Sequence, residues 1–101
     1  MKKIYLAGMN ADVYVIAEEV LPKHEGIHEG SRVLCRVEHV SGRVEYVVWW
    51  MRADDESLHS GHYFSGNLLG FLSAVDCYEQ KLVSDDVSAR EYETKYYGDD
   101  E

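Results

Sequence analysis

Ser31–Arg52, SRVLCRVEHVSGRVEYVVWWMR, is the stretch whose reading decides the fold. β-Branched and aromatic residues fill both halves, and Ser41-Gly42 supplies turn chemistry between them, so the segment predicts an antiparallel hairpin. A two-residue loop pairs Val40 with Arg43. Carried outward, that register sets His39 opposite Val44, Val37 opposite Tyr46, Cys35 opposite Val48 and Val33 opposite Trp50. One face is then apolar except at the tip. The other bears Arg36, Glu38, Arg43 and Glu45 near the turn and becomes apolar at the open end, through Leu34, Val47, Trp49 and Met51. A strand pair apolar on both sides requires cover on both, from a helix and from a further segment or a partner. Trp49 and Met51 are accordingly the residues through which a homodimer would form.

Upstream, Ile4–Ala7 and Asp12–Ala17 read as two more strands parted by Gly8-Met9-Asn10-Ala11, a second hairpin. Pro22 has no backbone donor and restricts Leu21, so the structure over Val15 to Val20 stops there and residues 22 to 30 form a loop. Downstream, Leu68, Phe71, Leu72, Val75, Tyr78 and Leu82 repeat at helical spacing, and Ser65 or Asn67 is placed to cap a main helix ending near Val83. Gly70, in the first turns of that helix, marks a close approach to the sheet. Ser88-Ala89-Arg90-Glu91 fits a capping box and predicts a short final helix, although Tyr92, Thr94 and Tyr96 also alternate as in a strand. The expectation is an α+β domain over residues 1–101: an antiparallel sheet of about four strands in two hairpins, one main helix on a face, and a short acidic C-terminal element over 84–101.

The chain has 101 residues, 46% of them apolar, and a net charge of −9. That length supports one core but no cleft between lobes. No stretch reaches the roughly 18 apolar residues of a membrane-spanning helix, and the apolar run after Lys3 is too short for a signal peptide, so a cytoplasmic protein is expected. Cys35 and Cys77 lack metal or redox spacing and read as small buried apolar groups. Between Asp76 and Glu101 stand nine acidic and three basic residues, a net −6 out of −9. Excess carboxylate disfavours nucleic-acid binding, which depends on Lys and Arg neutralising phosphate, and favours a basic partner instead.

His24-Glu25-Gly26-Ile27-His28 matches H-E-x-x-H, the pattern in which two histidines one helical turn apart hold zinc and the glutamate activates its water. The context opposes that chemistry. Pro22, Gly26 and Gly30 surround the motif, where a helix is needed to present both imidazoles on one side. His59 and His62, in a polar turn before the main helix, complete a candidate set of metal ligands with His24 and His28. A small zinc metallopeptidase stands as an alternative on this motif; the leading reading has no cofactor and no catalytic residues. No phosphate-binding loop, nucleophile elbow or dinucleotide fingerprint occurs.

What distinguishes the acidic end is tyrosine alternating with carboxylate. Tyrosine supplies contact area at low entropic cost, and the acids steer encounter. The candidate partner-binding residues are Asp85, Asp86, Glu91, Tyr92, Glu93, Tyr96, Tyr97, Asp99 and Asp100, joined by Asp54, Asp55 and Glu56 after the last strand of the hairpin. In general composition the chain resembles the small acidic anti-defence proteins of phages and mobile elements, of the anti-CRISPR or DNA-mimic type. That resemblance implies a non-enzymatic inhibitor occupying a basic, nucleic-acid-binding site of a host defence complex, in the host cytoplasm. An antitoxin or immunity protein covering a basic toxin, and a homo-oligomeric accessory protein, are the other readings.

Overall fold

The structure, a computed structural model, describes residues 2–21 and 29–97; within these, the side chains of residues 5–7, 21 and 86–97 are not described. The fold is α+β. Five strands, β1 (Lys2–Leu6), β2 (Ala11–Leu21), β3 (Gly30–His39), β4 (Val44–Arg52) and β5 (Leu58–Ser65), precede a single helix, α1 (Leu68–Tyr97). Each strand pairs antiparallel with its sequence neighbour, giving a meander in the order β1-β2-β3-β4-β5. β2 ends at Leu21, immediately before Pro22, while β3 starts at Gly30, which was expected to lie in the loop.

The strand count is five, not about four, because β5 occupies LHSGHYFS, the segment expected to be a polar turn. Two irregularities hide it. Ser60 has φ +57°, and the pairing register slips between Val48 and Trp50, so the alternation of a regular strand is broken there. Gly61 then lets the strand pass close beneath Trp49: a Cβ at Gly61 would lie 2.5 Å from the indole Nε1.

The central hairpin is present, but its register differs by one residue from the expected one. Gly42 N–H donates to His39 O at 2.8 Å and His39 N–H to Arg43 O at 2.8 Å, so the loop is three residues, Val40-Ser41-Gly42, with Gly42 at φ +96°. A turn closed by a left-handed glycine in third position shifts every pair. Val33 faces Trp49, Cys35 faces Val47 and Leu34 faces Val48. Since a one-residue slip exchanges the two sides of a strand, Val47, Trp49 and Met51 join Val33, Cys35 and Val37 on one face, and Tyr46, Val48 and Trp50 turn to the other.

The first of these faces forms the larger core, with Ala11, Val13 and Val15 from β2. The sheet curls over it. Ile4 from β1 and Leu58 from β5 pack on the same cluster, and Lys2 at the start of β1 meets Glu56 just before β5 in an ion pair. A bulge at Ile16 between Val15 and Ala17 adds to the bend. Trp49 and Met51 are each 4% exposed within this core, enclosed by their own chain, which leaves neither available to seat a second copy.

The helix covers the opposite face. Ala74 and Tyr78 are buried against Leu34 and Val48, with Tyr46, Phe64, Val75 and Leu82 around them, and Phe71 packs edge-on to Tyr46 with ring centroids 5.1 Å apart. Asn67 is the N-cap: its Oδ1 accepts from Gly70 N–H at 2.7 Å and its carbonyl from Phe71 N–H at 2.9 Å. Gly70 marks the close approach to the sheet, since a Cβ there would lie 1.8 Å from Ser65 O. Leu68 and Leu72 belong to the expected apolar stripe but are 70% and 53% exposed, and Ala74 takes the central place. The helix does not stop near Val83. It runs without interruption to Tyr97, so residues 84–97 continue it and are helix, not strand.

Candidate functional site

The charged side chains of the folded part are mostly bonded to one another. Ten Lys and Arg occur in the chain, and the side chains of Lys23, Arg90 and Lys95 fall outside those described. Of the other seven, six hold a carboxylate: Lys2 with Glu56, Lys3 with Asp12, Arg32 with Asp85, Arg36 with Glu38, Arg43 with Glu45 and Arg52 with Asp54. The Lys2 ammonium is held above its usual range first by the hydrogen bond to Glu56, and that of Lys3 first by the charge of Asp12. Those six cations are committed within the fold.

The acidic turn Asp54-Asp55-Glu56 is organised as a turn. Asp55 Oδ1 accepts from Ser57 N–H at 2.9 Å and from Ser57 Oγ at 2.6 Å, and these bonds, side chain first, lower its pKa. Asp54 takes Arg52 Nη2 at 2.8 Å. Glu56 stands at φ +56° and reaches Lys2. These three carboxylates shape the β4–β5 connection and fasten it to β1.

Asp85 is not a free docking acid either. Arg32 donates from Nε and Nη2 to its two oxygens, each at 2.9 Å, and the guanidinium stacks over Trp50 with Cζ 5.3 Å from the ring centroid. This bidentate pair fastens α1 to β3 where the helix leaves the described core. Sequence reasoning missed the pairing; its one signal was an arginine in the otherwise apolar SRVLC segment. Of the remaining candidates, Asp86, Glu91, Tyr92, Glu93, Tyr96 and Tyr97 lie on the continuous C-terminal half of α1, with side chains outside the description, while Asp99 and Asp100 lie outside the described residues. The structure thus separates Asp54, Asp55, Glu56 and Asp85, which are bonded internally, from a run along one helix.

His24 and His28 also lie outside the described residues. His59 and His62 are exposed on β5, opposite Trp50 and Val48, and His59 Nε2 is 2.7 Å from Ser57 Oγ. Among the described residues, no three His, Cys, Asp or Glu side chains are grouped to hold a metal ion. At the far end of the larger core, His39 Nε2 lies 2.8 Å from Glu45 Oε2, beside an open groove of about 370 Å³ lined by Arg43, Val44, Glu45, Tyr63, Phe64, Ser65 and Gly66. Cys35 is buried and its thiol pushed up to about 12 by that burial; Cys77 is a second free thiol, on the helix. Burial also raises the Tyr78 hydroxyl, helped by the charges of Glu19 and Glu18.

Comparison of the chain with protein-family models, curated proteins and solved structures finds no match in any of the three.

Proposed function

We propose that the chain is a non-enzymatic, acidic binding protein that docks on a basic site of another protein and blocks it. One observation carries the reading: six of the seven described Lys and Arg side chains are neutralised within the fold, while the sequence from Asp86 onward keeps six carboxylates against Arg90 and Lys95. Residues 86–101 thus carry −4 of the net −9 in 16 of 101 positions, a denser excess of negative charge than the −5 spread over residues 1–85. A helix bearing carboxylates with Tyr92, Tyr96 and Tyr97 among them suits a groove that otherwise holds a phosphate backbone. A nucleic-acid site of a defence complex is the target this charge suits best, and a basic toxin is the other setting.

The test uses a variant in which Asp86, Asp99 and Asp100 become Asn and Glu91 and Glu93 become Gln, with Asp85 kept because it holds Arg32. Wild-type protein immobilised in host lysate should retain a basic partner that is released by raised salt, and purified partner should lose its nucleic-acid binding when the chain is added. The neutralised variant should do neither. Equal retention by both proteins would sink the docking role of this helix.

A further inference from the structure

We propose that the outer edge of β5, with the leucines that open α1, is a pairing surface for a second copy of this chain. β5 is a terminal strand of the sheet, eight residues long, and His59, Ser60, His62, Tyr63 and Ser65 along it are exposed. Past the irregularity at Ser60, which itself bends the edge, residues 61–65 include no Lys, Arg, Asp, Glu or Pro, the residues that ordinarily keep an edge strand from adding another strand. β1, at the opposite edge, has that protection in Lys2 and Lys3. Beside β5, the helix start leaves Leu68, Leu69 and Leu72 at 70%, 75% and 53% exposed, and Tyr63 at 53%.

Charge selects the occupant. From Ser57 to Val75 the chain has no Asp, Glu, Lys or Arg, the longest such run in a sequence with 29% charged residues and a net −9. Two copies of so acidic a molecule repel across most approaches; meeting along this segment removes carboxylates from the contact. Antiparallel pairing of β5 with the same strand of a second copy is self-complementary about a twofold axis.

Light scattering on the full chain tests this without any partner protein, so its outcome is independent of the docking role proposed above. Wild type should run at twice its 11.6 kDa mass. His62→Glu with Leu69→Glu, both at exposed positions, should run as the monomer, and Ser84→Glu, about four helical turns further along, should remain dimeric. In wild type, hydrogen exchange at the amides of Leu58–Ser65 should slow as concentration rises. A wild-type monomer up to the solubility limit, a dimer that survives the double substitution, or exchange in β5 that ignores concentration would each overturn the proposal.

Discussion

Arg32 and Asp85 are the pair on which the attachment of the helix to β3 turns. Arg32 is 8% exposed, its guanidinium lies against Trp50 and has both Asp85 oxygens at 2.9 Å, so removal of the acid strands a charge in a poorly solvated place. Asp85→Ala should cost about 3 kcal/mol in urea denaturation, whereas replacing both residues with leucine should recover most of that loss, because two desolvated charges are removed together. The sequence marks Asp85 as one more acid in a charge run. Its partner stands 53 residues away, and no local pattern spans that distance. Cys35 was legible by the opposite logic, since a small apolar-like residue in a β-branched strand has only the core to go to, whereas Cys77, also expected to be buried, is only partly buried on the helix. At neutral pH, a thiol reagent should label Cys77 in the native protein and Cys35 only on unfolding. The raised Cys35 pKa also sets an alkaline limit. The folded state keeps a proton that the unfolded chain releases above about pH 9, so this stability is fully present below that pH and is lost as pH rises toward about 12. Alkaline titration of the midpoint, compared between wild type and Cys35→Val, checks the sign.

At the scale of elements, alternation and periodicity located four strands and the helix, and what they missed has local causes. The hairpin turned on whether Ser41-Gly42 closes as two residues or Val40-Ser41-Gly42 as three, and a single φ of +96° at Gly42 exchanges the two sides of β4 relative to β3. β5 was illegible because histidine, serine and glycine are permitted on an edge strand that faces solvent, so it has no hydrophobic signature beyond Leu58, Tyr63 and Phe64. The helix was cut short at Val83 because its apolar stripe ends at Leu82 and Ser88-Ala89-Arg90-Glu91 reads as the cap of a second helix, whereas the chain runs through that segment in one helix to Tyr97. Its start is nonetheless fixed by two residues. Asn67→Ala removes the acceptor for Gly70 N–H and should cost about 1 kcal/mol. Gly70→Ala should cost about 3 kcal/mol, since its Cβ meets the Ser65 carbonyl, a backbone atom that cannot swing aside. Thermal melts of the two variants, expected in that order, measure whether the junction of β5 and α1 is as tightly set as its geometry implies.

Across the whole molecule, one curled sheet serves two apolar clusters. Val13, Val33, Val37 and Val47 are buried on the side that the sheet encloses by itself, and Leu34, Val48, Ala74 and Tyr78 on the side that the helix closes. β3 and β4 contribute to both, because their alternate residues point to opposite faces. Loss of either cluster therefore removes the support of strands the other needs, and a single cooperative transition is expected. Val13→Ala should cost about 2 kcal/mol and Leu34→Ala about 3 kcal/mol. Val13 lies on β2 facing the enclosed side and Leu34 on β3 facing the helix, with no shared cluster, so the double variant should lose the sum of the two to within about 0.5 kcal/mol. Both single variants should move the same transition, whether it is followed by tryptophan fluorescence, which reports Trp49 on one face and Trp50 on the other, or by the helical circular dichroism of α1. Separate midpoints for the two signals would mean that the helix can leave while the curled sheet stays folded, and that β3 and β4 do not transmit the loss of one cluster to the other.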